Sequence, residues 1–492
     1  MISQEPNLFH RTLVMKFGGT SVGTPEAMTQ TVELVRQAKE DWPRVVVVTS
    51  ALATVTNLLL DSASQAAMGE VQAFQQNEGH LRQLHEAIAD ALVKSTALYD
   101  QVNWEIDNLV AEFANLCQAI AILGEATPRA LDAIAALGER MSVRLLATCL
   151  ESSGVPAQFV ESSRLVVTDD HFQNAHPDFD QTTQKTRAVL EPILAQGNVP
   201  VVTGFIGATK DGVTTTLGRG GSDYSAGILG AVLPADDVWI WTDVNGVMTA
   251  DPRLVPQART IPEISYREIA ELAYFGAKVL HPKTIRPVLD AGIGLRICNT
   301  FQPEHPGTRL KLGNGTNGKR GNGKGVVKAV TAIQGQRLIT VEGRGMLGIP
   351  GVAARTFGAV ASTGTSVPLI TQASSEQSIC FAIPAEASGR VVRALEESFS
   401  SELAHNDIDR IWSTGDVAII TVVGAGIMHT PGVAGRIFSA LGMQEVNVIA
   451  IAQGSSEVSI SLVVDLKDAE TAVRAVHALI LEEEPSPIIP LP

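Results

Sequence analysis

A lysine and two glycines stand together near the start of the chain, in the segment KFGGTSV at residues 16–22. Lys16 precedes the glycines, so the spacing differs from that of a Walker A loop. Glycines at the start of a helix leave backbone N–H groups open to a polyanion. The segment therefore predicts a phosphate site; the alternative is a strand-to-helix turn with a solvated Lys16.

A second glycine-rich segment, TTLGRGGSDY at 215–224, encloses an arginine and ends with an acidic residue. The guanidinium of Arg219 offers two parallel donors to a carboxylate or a phosphate. Asp223 could hold Mg²⁺ or accept hydrogen bonds from an amine. A helix cap would explain Ser222 and Asp223 but not Arg219, which we expect to be buried among the glycines. We therefore predict a ligand site here.

Further segments place charged residues among apolar ones: GERMS at 138–142, WTDVNGV at 241–247, DPR at 251–253 and FGAKVLHP at 275–282. Asp243 follows a predicted strand, the position at which ligands bind in open α/β sheets. Lys278 stands in an apolar segment, which suggests a ligand for its charge. A surface ion pair at Glu139 and a plain turn at Asn245 are the alternatives. We find no metal cage and no catalytic triad in the sequence.

The composition narrows the class of protein. The 492 residues carry a formal net charge of −15, which argues against nucleic-acid binding. The four cysteines are scattered, as expected of reduced core thiols in a cytoplasmic protein. No apolar run approaches the length of a membrane span, and the N-terminus lacks the pattern of a signal peptide. We therefore predict a cytoplasmic protein without a membrane partner.

Apolar strands alternate with helices over the first 300 residues. The predicted strands are 13–17, 45–49, 158–160, 199–204 and 239–242. This alternation predicts an α/β fold with a mostly parallel central sheet and helices on both faces. A long helical insertion is predicted at about 60–125.

The C-terminal part contains an internal repeat. Residues 338–383 align without gaps with 419–464, and each copy predicts a ferredoxin-like βαββαβ unit. A Gly/Asn-rich stretch precedes the repeat and has the composition of a linker. The predicted domains are 1–310, a linker at 311–330, and two repeat domains at 331–413 and 414–492.

Taken together, the motifs resemble those of the aspartate kinases of the amino acid kinase family. The resemblance covers nearly the whole chain and follows KFGGTSV, SALATVTN (50–57), GER, TTLGRGGSDY, WTDVNGV and FGAKVLHP in order. The repeat resembles the paired ACT domains with which these enzymes sense an amino acid. The details most resemble the kinase half of bifunctional aspartokinase–homoserine dehydrogenases. Because the chain ends after the second repeat, we expect a relative that lacks the dehydrogenase.

The resemblance implies an amino acid kinase fold and ATP-dependent phosphorylation of the L-aspartate side-chain carboxylate to 4-phospho-L-aspartate. This reaction is the first step toward lysine, threonine, methionine and isoleucine. Mg²⁺ would bridge the phosphates of ATP. The implied catalytic residues are Lys16, Arg219 and Asp223. The implied aspartate ligands are Thr56, Glu139, Arg219 and Ser222. The implied nucleotide ligands are Lys16, Gly18, Gly19, Thr242, Asp243, Arg253, Lys278 and Val279.

The resemblance also implies feedback regulation. Gln372 and Gln453 occupy equivalent positions in the two repeats, and their amides would bind an inhibitory amino acid, threonine or alternatively lysine. ACT domains commonly pair across subunits, so we expect a homodimer or a higher homo-oligomer. Two other functions stay open: a kinase for another small carboxylate, and a non-catalytic amino-acid sensor.

Overall fold

The computed structural model divides the chain into two compact units. The first contains residues 1–247, 262–266 and 280–313, and the second contains 248–261, 267–279 and 314–492. The residues that the structure describes are 11–277, 280, 282–311, 326–346, 349–372, 377–427, 430–453 and 458–483.

Eleven strands lie in the described part of the first unit. They are β1 (Thr12–Phe17), β2 (Arg44–Thr49), β3 (Ala157–Val160), β4 (Val167–Thr168), β5 (Val199–Thr203), β6 (Ile206–Thr209), β7 (Thr214–Thr216), β8 (Asp237–Thr242), β9 (Glu263–Ser265), β10 (Gly294–Asn299) and β11 (Thr308–Lys311). Eight of them form one sheet in the order β3-β5-β2-β1-β8-β10-β11-β9, and β4, β6 and β7 form a small second sheet.

The large sheet is parallel except where β10 meets β11. Every residue of β1 is buried, and β2 is buried from Val45 onward, as expected of strands covered on both faces. The predicted α/β fold with a mostly parallel central sheet is confirmed.

Helices follow most of these strands. They are α1 (Gly19–Val22), α2 (Pro25–Asp41), α3 (Val55–Ala67), α4 (Val71–Leu92), α5 (Thr96–Leu123), α6 (Pro128–Ser152), α7 (Phe179–Ala195), α8 (Gly221–Val232), α9 (Tyr266–Tyr274) and α10 (Pro282–Asp290). The start of α6 is specified locally, because Thr127 caps the N–H of Ala130 and Pro128 fixes the first helical turn. The predicted helical insertion corresponds to α3, α4 and α5.

Helix α5 is long and apolar enough to cross a membrane by length and composition. Its most apolar 18-residue window has a mean hydropathy of 1.3, and 33% of that window is buried in the structure. The buried face, which includes Val110, Phe113 and Cys117, packs into the helical core of the first unit. A core helix passes the same test, so one such helix is weak evidence for a membrane span.

The second unit is built on a six-stranded antiparallel sheet in the order β13-β14-β12-β15-β17-β16. Its strands are β12 (Ala329–Glu342), β13 (Leu369–Gln372), β14 (Ser378–Pro384), β15 (Arg410–Val423), β16 (Val448–Ala452) and β17 (Ser459–Asp465). Its helices beyond residue 350 are α11 (Val352–Ser362), α12 (Ser388–Ser398), α13 (Ser400–Ala404), α14 (Val433–Met443) and α15 (Ala469–Glu483).

Two long strands are shared between the repeats. The start of β12 (Val330) packs with α14 and α15 of the second repeat, whereas its end (Ile339 and Val341) packs with the first repeat. Strand β15 is divided in the same way, since Ile411 packs with the first repeat and Ile420 with the second. The core of the second repeat therefore includes the start of β12, which lies before the first repeat in the chain, and β15 runs from one repeat into the other.

Two stretches that the sequence placed before the linker join this second unit. Segment 248–261 packs on α15, where Thr249 Oγ1 lies 2.9 Å from His477 Nε2 and Arg474 donates to the carbonyl of Leu254. In α9, the fully buried Glu268 accepts from Lys328 Nζ (3.0 Å) and from the N–H of Ala425 (2.6 Å). The predicted domain bounds stay predictions.

Candidate active site

A cavity of about 590 Å³ opens in the first unit at the carboxyl ends of β1, β2 and β5. In a parallel sheet these ends lie on one edge, where ligands bind. The strands lead into Gly19, Ser50 and Phe205, and helices α6 and α8 supply further walls. The predicted site residues that line the cavity are Lys16, Gly19, Thr56, Glu139, Arg219, Ser222 and Asp223.

Lys16 lies near the end of β1 and is 8% exposed. Its Nζ lies 2.6 Å from Oδ1 of Asp223, in the first turn of α8. Gly220, with a φ of 72°, turns the chain into that helix. The ammonium is thus held at the start of a helix, where backbone N–H groups and the helix dipole also favour an anion.

Gly19 allows the close approach that the motif predicts. A Cβ at this position would lie 2.9 Å from the carbonyl oxygen of Ala51, closer than real Cβ atoms come. Gly18 donates its N–H to the carbonyl of Trp241 at the end of β8 and does not line the cavity. The two glycines therefore have different roles, and only Gly19 faces the cavity.

Glu139 projects from α6 into the cavity and is 3% exposed. Burial raises the pKa of its carboxyl to about 8, although the N–H of Ala51 donates to it and the charge of Lys16 opposes the rise. Oε2 has no hydrogen-bond partner among the described residues. A buried, incompletely satisfied carboxylate suits a cationic ligand such as an ammonium.

The expectation that Arg219 is buried is wrong. The side chain is exposed at the rim of the cavity. The neighbouring glycines have no side chains to cover it, which explains the exposure. The guanidinium stays next to the cavity and available to an anionic ligand.

The other predicted nucleotide ligands are not among the residues that line this cavity. Thr242 ends β8 and Asp243 follows it, and Thr242 Oγ1 donates to Asp243 Oδ1 at 3.2 Å. Arg253 lies in the second unit, where it pairs with Asp251 at 2.6 Å. Lys278 and Val279 lie outside the described residues.

Backbone strain concentrates around the cavity. Six non-glycine residues of the described chain have a left-handed φ, and three of them line the cavity: Thr54 (72°), Gln173 (69°) and Phe205 (66°). Such conformations cost about 1–3 kcal/mol each and persist where the surroundings enforce them, often at functional sites. Residue type gives little signal for them, and the sequence analysis missed all three.

The sequence analysis also did not identify Asp132 as a residue of the site. It lies on α6 two helical turns before Glu139, lines the same cavity and is 1% exposed. Burial raises the pKa of its carboxyl, against the effect of N–H and O–H donors from Gln173 and Thr216. The spacing of seven residues from Glu139 places both side chains on one helix face and could have pointed to it.

The two predicted regulatory residues lie at equivalent places in the second unit. Gln372 ends β13 and Gln453 follows β16, the two edge strands of the sheet, and both side chains are exposed. The residues that follow each of them lie outside the described chain.

A divalent cation has few candidate protein ligands here. Among the described residues, no group of three His, Cys, Asp or Glu side chains is placed to hold a metal ion. Asp223 offers one carboxylate at the start of α8. Mg²⁺ is commonly held by one or two carboxylates together with substrate phosphates, and Asp223 fits that pattern.

Comparisons with known proteins agree with these features. The profile of the amino acid kinase family matches residues 11–299, and that of the ACT domain matches 339–399 and 420–479. A bifunctional aspartokinase/homoserine dehydrogenase from Haemophilus influenzae is 36% identical over 94% of this chain and 56% of its own length. The chain spans about half the length of several such relatives.

Two other relatives are covered over most of their own length. Aspartokinase 2, chloroplastic, from Arabidopsis thaliana is 32% identical over 96% of this chain and 85% of its own length. The structure of Escherichia coli aspartokinase III in complex with aspartate and ADP (R-state) matches with a TM-score of 0.79 at 30% identity, over 96% of this chain and all of that one. The same enzyme in complex with lysine and aspartate (T-state) matches with a TM-score of 0.73 at 31% identity, over 95% of this chain and 99% of that one.

Proposed function

The chain belongs to the amino acid kinase family and is homologous to aspartokinases, and on that premise we propose that it transfers the γ-phosphoryl group of ATP to the side-chain carboxylate of L-aspartate. The observation that carries the proposal is one cavity lined by Lys16, Glu139 and Arg219. These side chains complement the three charged groups that meet in the reaction: a phosphate, an ammonium and a carboxylate.

Substrate placement follows from charge. Glu139 takes the ammonium of aspartate, because its buried carboxyl has an oxygen without a partner among the described residues. Arg219 at the rim takes a carboxylate in a bidentate contact. Thr56 and Ser222, which also line the cavity, supply hydroxyl groups to the same substrate.

The chemical step needs little besides positioning and charge. A carboxylate oxygen of aspartate attacks the γ-phosphorus, the bond to the ADP oxygen breaks, and an acyl phosphate forms. The carboxylate is already ionised at neutral pH, so no strong general base is required. Lys16 stabilises charge on the transferring group, and Gly19 lets the backbone approach it. Bound Mg²⁺, with Asp223 as a ligand, would neutralise charge on the phosphates.

The nucleotide is proposed to extend from Lys16 toward Gly18, Thr242 and Asp243, which lie at the carboxyl ends of the adjacent strands β1 and β8. The sequence resemblance adds Arg253, Lys278 and Val279 to this set. These three assignments depend on the resemblance.

The first test is an assay of the purified protein with ATP, Mg²⁺ and aspartate, in which hydroxylamine traps the acyl phosphate as a hydroxamate. We expect hydroxamate from the wild type and at least a hundredfold less from Lys16→Ala, because an electrostatic contact to the transferred group is lost. Lys185→Ala, at an exposed position on α7, is the matched control and should retain activity.

Two outcomes would point to the other functions. Activity on another small carboxylate and none on aspartate would indicate a different kinase of the family. Amino-acid binding without any phosphoryl transfer, unchanged by Lys16→Ala, would indicate a sensor.

We further propose that an amino acid inhibits the enzyme at the ACT repeats, with Gln372 and Gln453 as its ligands. Threonine is the first candidate, from the resemblance to bifunctional relatives, and lysine the alternative, since it is bound by E. coli aspartokinase III. Adding each to the hydroxamate assay tests this, and Gln372→Ala and Gln453→Ala should raise the concentration needed for inhibition. A homodimer or higher homo-oligomer formed through these repeats is expected on sizing with light scattering.

A cytoplasmic location, without nucleic-acid or membrane partners, stays a prediction. The plant relative's name places that protein in the chloroplast. Fractionation of cells that express the full chain would test it.

A further inference from the structure

We propose that Asp132 is a positioning residue for the aspartate end of the cavity, which it shapes by holding Gln173 in a left-handed conformation beside the strand that leads to Arg219. The inference rests on the proposed function, because it concerns the same cavity. It concerns the segment 169–176, which lines the pocket through Gln173 and which none of the sequence motifs contains.

The contacts of Asp132 are the first support. Its two carboxylate oxygens accept four hydrogen bonds from two separate segments. Oδ1 accepts from Thr216 Oγ1 (2.7 Å) and Oδ2 from the N–H of Thr216 (2.9 Å). The N–H of Gln173 donates to both oxygens, at 3.1 and 3.0 Å. One side chain on α6 thus joins the end of β7 to the 169–176 segment.

The conformation of Gln173 is the second support. Its φ of 69° is one that a side chain with a Cβ rarely adopts, so surrounding contacts must enforce it. Its N–H donates to Asp132, and its carbonyl oxygen lies where it would be 2.9 Å from a Cβ on Gly218. The carbonyl of Gln173 therefore needs a glycine at position 218, and its N–H is held by Asp132.

The neighbours of Gln173 also make hydrogen bonds that connect them to the segment before Arg219. Asn174 Oδ1 accepts from Lys283 Nζ at 2.9 Å, and Lys283 also reaches the carbonyl of Leu217 at 3.4 Å. The N–H of Ala175 donates to the carbonyl of Thr216. The segment before Arg219 and the segment around Gln173 are consequently joined by hydrogen bonds, and Asp132 joins both to the helix that carries Glu139.

Loss of the Asp132 carboxylate leaves two N–H groups and one hydroxyl without their acceptor. Leaving such buried groups unpaired is costly, so the segment is expected to shift and Gln173 to relax toward a right-handed conformation. The shift alters the wall beside Arg219 and leaves Lys16 and Asp223 in place. Aspartate binding should suffer, and ATP binding should not.

The experiment is a double-mutant cycle with Asp132→Ala and Gln173→Gly. We expect Asp132→Ala to raise the KM for aspartate roughly ten- to a hundredfold, with a change in the KM for ATP of less than about threefold. Glycine adopts a left-handed φ without strain, so Asp132→Ala should cost clearly less in the Gln173→Gly background. Asp132→Asn keeps the shape and one acceptor and should be intermediate.

Asp237→Asn is the matched control. This carboxylate is also shielded and hydrogen-bonded, to Trp239 and Val238, but it lies at the opposite end of β8 from the cavity. It should alter thermal stability and leave both KM values unchanged. Equal rises in both KM values for Asp132→Asn, or strict additivity in the cycle, would overturn the inference.

A second readout separates this inference from the proposed function. Hydrogen–deuterium exchange of peptides that contain Gln173 and Thr216 needs no substrate. We expect faster exchange in both peptides of Asp132→Asn and unchanged exchange in β1. If the wild type phosphorylates nothing, the proposed function fails, and this exchange result still decides whether Asp132 holds the two segments. Unchanged exchange would overturn the inference.

Discussion

The Nζ of Lys16 lies 2.6 Å from Oδ1 of Asp223, and both side chains are largely shielded from water, with 10% and 19% of their surface exposed. The pair joins the end of the central strand β1 to the first turn of α8. In the absence of a nucleotide, the charge of Lys16 is compensated within the protein. A phosphate that enters the cavity must therefore compete with Asp223 for the ammonium.

Asp223→Asn should lower both the stability of the protein and its catalytic activity. Removing one member of a shielded ion pair leaves an uncompensated charge and costs about 3 kcal/mol of folding free energy. We expect a lower melting temperature in the absence of ligands and a fall in kcat. Differential scanning fluorimetry with and without ATP and Mg²⁺ checks the first part. Asp211→Asn, at an exposed turn, is the control, and equal melting temperatures of Asp223→Asn and wild type would contradict the prediction.

Glu139 should make aspartate binding depend on pH. Its carboxyl has a pKa of about 8 without ligand, so it is mostly protonated at pH 7, and pairing with an ammonium requires the ionised form. Binding should therefore release a proton, and affinity should rise as the pH increases toward about 8. Calorimetry at pH 7 in buffers of different ionisation enthalpy measures the proton release directly. Glu139→Gln should abolish it, whereas Glu151→Gln, exposed on the same helix, should not. An uptake of protons would contradict the assignment.

The raised pKa of Glu139 should also make the stability of the protein depend on pH. The pKa of this carboxyl is raised in the folded state, so the folded protein binds more protons than the unfolded chain between the ordinary pKa of 4.5 and about 8. The contribution of Glu139 to stability is thus lost as the pH rises through that window. The melting temperature of Glu139→Gln should exceed that of the wild type at pH 8. At pH 4.5 the two melting temperatures should be nearly equal. A constant difference across the range would contradict this.

His85 should destabilise the protein at acidic pH. Its ring is fully buried in α4, Nδ1 lies 2.8 Å from the carbonyl oxygen of Leu81, and burial lowers the pKa to about 4. The unfolded chain takes up a proton below about 6.5, so stability should fall as the pH drops from 6.5 to 4. His85→Gln should flatten this part of the stability profile. His80→Gln, exposed on the same helix, should leave it intact, and identical profiles for all three proteins would refute the prediction.

Glu268 should matter for regulation. It is fully buried and joins α9 to Lys328, which directly precedes β12, and to Ala425, which follows β15. The chain runs from α9 directly into the FGAKVLHP segment, which is proposed to reach the nucleotide. We expect Glu268→Ala to raise the inhibitor concentration for half-inhibition at least fivefold, because the regulatory sheet loses its buried contact to α9. Glu263→Ala breaks an exposed pair with Lys311 and should have little effect.

Local sequence patterns predicted part of the fold. Continuous apolar runs specify β1 and β2, and the glycine motifs place Lys16 and Asp223 where a strand ends and a helix begins. These features depend on a few neighbouring residues, so a single sequence reveals them. The aspartate kinase resemblance then connected motifs that lie far apart in the chain.

The features of the fold and of the site that the sequence did not predict depend on contacts between residues far apart in the chain. Asp132 accepts hydrogen bonds from segments 41 and 84 positions away, and no local pattern specifies those partners. The left-handed conformations of Thr54, Gln173 and Phe205 are enforced by their surroundings. Segment 248–261 belongs to the unit of the repeats because it packs against α15. The turn residues after WTDVNGV do not predict that contact.

The sharing of β12 and β15 has a consequence for the ancestry of the chain. A tandem duplication usually yields two copies, either of which can be discarded. Here β12 and β15 each pack with both repeats, so deletion of one repeat would remove part of the sheet of the other. Loss of either repeat should therefore destabilise the other, and we expect the two to be retained together. Later mutations could then specialise the two halves but not separate them.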